Sequence, residues 1–178
     1  MVLSDKIHEY EHVRADFGHG DILLCSRPVT LFDRAICWWT CSKWFHVLIV
    51  DTKHGDKPWC FESVEPQGVR HKPLWWEMWE ADQDGYHLDW FRLKGYQGGG
   101  IVEWFRERVG CRYPTGWQMF WDYVCREPAD ANGRWDCSQA LALALESVGW
   151  RGEKSPLLAT PGDVARYSCY EHMGRLKP

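Results

Sequence analysis

The sequence predicts an α+β fold, and three observations carry that prediction. Short runs of valine, isoleucine and leucine, above all Val47-Leu48-Ile49-Val50, have the length and composition of buried strands. Other segments repeat their apolar residues at helical spacing, as Ile101, Val102, Phe105 and Val109 do among charged neighbours. A third kind of run, from Ala140 to Leu145, is apolar nearly all the way round, the mark of a helix with no solvent face.

The elements follow in order along one expected domain spanning 1–178, enough chain for one sizeable core. Residues 1–18 read as a polar lead-in. A first strand covers Asp21 to Cys25. Val29 to Lys43 is expected to be helical, with Leu31, Ala35, Trp38 and Trp39 at helical spacing. Strands follow near 45–51 and 58–64, joined through the turn residues His54-Gly55-Asp56-Lys57. A short strand lies near Val69, and a short helix near Trp75 to Ala81. His87 to Leu93 alternates as a strand does. Gln97 to Val109 is an amphipathic helix entered through Gly98-Gly99-Gly100, and Trp117 to Cys125 another helix. A polar loop from Glu127 to Arg134 leads to the apolar helix. Thr160 caps a last short helix, with Pro161 at its first position.

The candidate chemistry begins at Cys137. Asp136 is a good N-cap, which places Cys137 in the first turn of the apolar helix. The partial positive charge at a helix start favours thiolate over thiol. The competing reading is a small core cysteine. His46 stands at the entrance of the Val47–Val50 strand, where an imidazole can take a thiol proton and return it to a leaving group. Glu62 lies in the next strand. If the two strands pair, its carboxylate can orient the ring and stabilise imidazolium; otherwise it faces solvent.

In its motifs and their order the chain resembles a known family. Gly20-Asp21-Ile22 comes first, His46-Val47 second, Phe61-Glu62-Ser63 third and Asp136-Cys137-Ser138 last. Gly68-Val69, Gly110-Cys111-Arg112-Tyr113 and Thr160-Pro161-Gly162-Asp163 are smaller matches. Together they are similar to the NlpC-type peptidases of the papain-like superfamily, in circularly permuted order, over about residues 18–167. The resemblance implies a permuted papain-like fold: an antiparallel sheet or half-barrel packed on a central helix carrying the cysteine. It implies a Cys137, His46 and Glu62 triad that cleaves an amide through a thioester, on peptides, isopeptides or peptidoglycan stem peptides. Tyr113 is implied as an oxyanion donor beside the Cys137 backbone N–H, and Asp136 and Ser138 as flanking substrate-binding residues, although helix capping accounts for Asp136 equally. Phe45, Leu48, Pro114 and Gln139 depart from the family pattern, which puts substrate identity in doubt more than reaction class.

Two other classes stand beside this one. Lipid acyltransferases and thioesterases share the permuted arrangement but carry an Asn-Cys motif, absent here. A non-catalytic binding or structural component of a phage particle is the other.

Composition narrows partners and setting. The net charge of −4 gives no electrostatic case for nucleic acid. No run is long and apolar enough to span a bilayer, and residues 1–21 hold no signal-peptide core, so a cytoplasmic protein is expected, unless released by lysis or virion-borne. The eight cysteines are therefore expected to stay reduced. Cys37 and Cys41 lie one helical turn apart near His46, but no Cys-x-x-Cys pair completes a metal site, so no metal or other cofactor is expected. The thirteen tryptophans, clustered at Trp38-Trp39, Trp44 and Trp75-Trp76-Glu77-Met78-Trp79, are expected to pack the core and its rim, with some free to line a groove.

Overall fold

The structure, a computed structural model, describes residues 6–54, 57–95, 98–115, 133–152 and 154–177. The expected helix at Trp117 to Cys125 and most of the 127–134 loop lie outside the described residues.

The architecture is α+β, built on one mixed seven-stranded sheet. Its strands are β1 (Ile7–Glu9), β2 (Ile22–Ser26), β3 (Trp44–Asp51), β4 (Trp59–Val64), β5 (Gly68–Pro73), β6 (His87–Leu93) and β7 (Tyr170–Lys177), in spatial order β1-β7-β6-β2-β3-β4-β5. Only β1 and β7 run parallel; every other neighbour pair is antiparallel. The helices are α1 (Tyr10–Val13), α2 (Leu31–Thr40), α3 (Leu74–Asp84), α4 (Gly98–Arg106), α5 (Cys137–Ser147) and α6 (Pro161–Val164).

Period-two alternation divides the sheet into two apolar faces. On one, Ile22, Leu24, Val47, Ile49, Phe61 and Phe91 pack with α4, α5 and α6. On the other, Leu23, Leu48, Val50, Cys60, Leu88 and Trp90 pack with α1 and α3. β2 and β3 are buried on both faces, which explains their unbroken apolar runs. α5 contacts α4, β3 and β4, and six of its apolar residues are buried.

Three segments differ from the sequence expectation. The polar lead-in contributes an edge strand and a helix, because Tyr10, Val13 and Phe17 fall on one side and are buried. Charged neighbours hide that spacing in the sequence. The chain end forms β7, whose Tyr170, His172 and Leu176 point inward between exposed Glu171 and Lys177. α2 has the expected bounds to within a few residues, yet none of its residues is buried; Leu31 is 84% and Trp38 80% exposed. Its capping box, Thr30 with Asp33, forms without a core to pack on.

Two glycines mark close backbone crossings. Gly98 opens α4 against the His19 carbonyl, where a Cβ would come within 1.6 Å, so this glycine is a packing requirement as well as an entry. Gly68, at φ +75°, would place a Cβ 1.8 Å from the Cys111 carbonyl oxygen. The exchange of Val69 N–H to Cys111 O (2.9 Å) and Gly110 N–H to Val69 O (2.8 Å) ties the 110–113 segment to β5.

Candidate functional site

The site forms where β3 and β4 part. Their ladder runs Asp51↔Trp59, Val50↔Cys60 and Ile49↔Phe61, and stops there. Beyond it, Ser63 Oγ donates to the Trp135 carbonyl at 2.8 Å, drawing the start of α5 towards the opening. Asp136 caps α5: its Oδ1 accepts from Ser138 N–H (2.8 Å) and Gln139 N–H (2.9 Å), and Gln139 completes the capping box. Cys137 is therefore the first helical residue, and it is 4% exposed.

The structure brings Cys137, His46 and Glu62 together. His46 Nε2 lies 3.1 Å from Glu62 Oε2, and Cys137 is close enough to the ring to act on its charge. With Nε2 engaged by the carboxylate, Nδ1 is the nitrogen left for the thiol. Burial by itself would lower the His46 pKa. The negative charge and hydrogen bonds of Cys137 and Glu62 outweigh it and hold the pKa well above the ordinary imidazole value. Burial would raise the Glu62 pKa, but His46, Lys72 and Arg70 keep it below the usual carboxylate range.

Tyr113 joins them through the Gly68 crossing. It lines the same cleft as His46 and Glu62, within electrostatic reach of Cys137 and Asp136. Burial first, then those charges, push its pKa well up, so the phenol stays protonated and can donate. Asp136 and Ser138 face the protein instead. Both are buried, and Ser138 Oγ donates to Asp136 Oδ1 and the Ala159 carbonyl, each at 2.8 Å. Their visible work is capping and docking the helix, and neither lines the cleft.

The cleft has a volume of about 720 Å³. One wall is apolar: Phe32 and Ile36 of α2, Phe45, Val64 and Pro66. The floor is a charge network that the sequence analysis did not anticipate. Lys72 Nζ lies 2.9 Å from Glu62, 2.5 Å from Glu77 and 2.6 Å from Glu80, while Arg70 Nε donates to Glu62 Oε1 at 2.6 Å. Tyr86 donates to Glu77 at 2.8 Å. The register explains the assembly, because Glu62 pairs with Arg70 and Cys60 with Lys72, placing the two cations on the Glu62 side of the sheet. Alternation of Arg70 and Lys72 was the available signal, but only a known register converts it into a contact.

Cys37 is partly exposed, Cys41 fully so, and His46 is turned to Glu62 and Cys137. Among the described residues, the side chains near enough to share a metal ion are Asp51, His54 and His71, with ligand atoms within 4.8 Å of one another. The seven described cysteines are all free thiols. No helix among the described residues is long and apolar enough to cross a membrane.

Comparison with known proteins places the fold but not a family. No family model matches the chain, and no curated protein matches it. Five solved chains match; one is the crystal structure of metalloprotein yiiX from Escherichia coli O157:H7, DUF1105. That likeness has a TM-score of 0.68 at 16% identity and covers 91% of this chain and 99% of the other. These findings overturn the assignment to the NlpC-type peptidases: no family model supports it, and one solved structure that matches is described as a metalloprotein. The motifs behind the resemblance have local physical causes. Asp136-Cys137-Ser138 and Thr160-Pro161-Gly162-Asp163 are capping boxes, and Gly68 is demanded by a backbone crossing. Such needs recur in many folds, so the motifs do not identify one family.

Proposed function

We propose that the protein is a thiol hydrolase that transfers an acyl group through a thioester on Cys137. The observation that carries this reading is the His46 imidazole held at 3.1 Å by the buried Glu62 carboxylate, both lining a cleft, with Cys137 at the start of α5 acting on the charge of that ring. In this reading His46 takes the thiol proton, the sulfur attacks an amide or ester carbonyl carbon, and the imidazolium returns the proton to the leaving group. Water, deprotonated by the same ring, then attacks the thioester and releases the acid and the thiol. Glu62 holds the ring and stabilises imidazolium. The Cys137 N–H at the helix start and the Tyr113 hydroxyl would meet the developing oxyanion.

The apolar wall of Phe32, Ile36 and Phe45 favours a second reading of the substrate, a long acyl chain carried as an ester or thioester. A peptide or isopeptide amide fits the polar side, where Thr30, Asp33 and Tyr113 lie. A paired screen of amide and acyl-ester substrates against wild type separates the two.

The test of the triad is Glu62→Gln. Turnover is expected to fall about 10²-fold, since the neutral amide cannot stabilise imidazolium. Unchanged kcat in a folded variant would remove Glu62 from the mechanism. Tyr113→Phe is expected to lower kcat roughly 10- to 10²-fold with little change in KM, because the lost donor acts on the transition state. An altered KM at constant kcat would mark Tyr113 as a binding residue instead.

A further inference from the structure

We propose that Asp51, His54 and His71 form a binding site for a borderline divalent cation, zinc being the best match, at the end of the sheet remote from Cys137. The site joins three segments: Asp51 ends β3, His54 lies in the β3–β4 turn and His71 sits in β5. Two imidazoles and one carboxylate are the donor set of an open zinc site with three protein ligands. Three features indicate a ligand rather than chance proximity.

His71 Nε2 is sealed from water and lies 3.3 Å from Asp51 Oδ2, in a geometry that makes no hydrogen bond. A buried ring nitrogen that faces a carboxylate without a well-formed hydrogen bond is poorly satisfied, and a metal ion shared with that carboxylate satisfies both. The His71 ring is also preset. It stacks on Phe61 with centroids 4.1 Å apart and packs against Trp59 at 4.8 Å, while Trp59 holds His54 at 5.1 Å. Asp51 is fully buried and His54 is exposed, so His54 is the ligand with room to close. Ligand atoms on one tetrahedral zinc at about 2.0–2.1 Å from the metal stand roughly 3.4 Å apart, so the 4.8 Å spread has to contract by about 1.4 Å.

Arg106 is the competitor. Its Nη2 lies 2.9 Å from Asp51 Oδ2, and its Nη1 contacts Glu103, which would retain it when the ion takes the carboxylate. The His19 ring is not counted as a ligand, because its Nδ1 accepts from Thr52 N–H at 3.1 Å. Five residues of β3, roughly 16 Å at ~3.3 Å per residue, separate Asp51 from His46, so the ion would clamp the sheet end without touching the thiol chemistry.

The experiment is a titration of the reduced full-length protein with zinc, followed by the ¹⁵N resonances of the imidazole rings. Saturable one-to-one shifts of His54 and His71, with no shift at His12 or His87, are expected. Apparent affinity should fall at least tenfold in His54→Asn, an exposed change that leaves the core alone, and rise in Arg106→Gln. Zinc signals confined to cysteine residues, no shift at either histidine, or equal affinity in wild type and His54→Asn would overturn the proposal.

Discussion

A Cys137→Ala protein is expected to keep its fold and lose about 10⁴-fold or more of its turnover on any substrate of the wild type. The replaced side chain is small and buried, so the expected stability loss is only about 1 kcal/mol. Activity, by contrast, has no second thiol to fall back on within the triad. Cys25, the nearest candidate, is fully buried, and burial raises its pKa well above the ordinary thiol value. A reactivity measurement gives the same answer without a known substrate. Limited iodoacetamide labelling at about pH 6, read by peptide mass mapping, should modify Cys137 selectively, because an ordinary thiol near ~8.5 is almost wholly protonated there. The selectivity should weaken in His46→Ala. Its source is the imidazolium, which Cys137 and Glu62 hold above its usual range. Uniform slow labelling of the exposed cysteines, with Cys137 untouched in both proteins, would return Cys137 to the core and leave a binding role for the cleft.

The largest expected loss of stability follows from Lys72→Met. Lys72 is nearly buried and stands between three carboxylates, two of which, Glu62 and Glu77, are themselves buried. Methionine fills the volume but leaves those charges without their shared cation. Removing one partner of a buried ion pair costs about 3–5 kcal/mol, measurable as a shift of the urea midpoint. The loss should depend on pH. Burial, and then the charge of Glu62, already raise the Glu77 pKa, with Lys72 and Tyr86 pulling the other way. Without Lys72 it rises further. A carboxyl with a raised folded pKa binds its proton more tightly in the folded state, so stability falls as pH climbs from the unfolded value near ~4.3 through the folded value. Lys72→Met should therefore lose less stability at about pH 5 than at about pH 8. An equal loss at both would mean that the carboxylates find other partners.

His46 and Glu62 were legible because strand chemistry is local. The β-branched run fixes β3, and antiparallel pairing brings β3 and β4 together. The Lys72 network was not legible, because no short-range pattern states which residue of β5 lies opposite Glu62. A one-residue slip would turn Arg70 and Lys72 to the other face. Tyr113 was expected from the resemblance alone. The physical reason for its place, the crossing of β5 and the 110–113 segment at Gly68, is a contact between residues more than forty positions apart.

Other features divide along the same line. Sequence alone determined the α+β class, the bounds of most strands, the caps at Asp136 and Thr160, and the position of a thiol at the start of an apolar helix. These rest on hydrogen bonds and periodicities spanning a few residues. Tertiary structure alone decided that the chain ends pair as β1 and β7, that α2 keeps its apolar residues in solvent beside the cleft, and that Asp51 meets His54 and His71. Each of these depends on strand order and register, which long-range packing selects and no local pattern encodes.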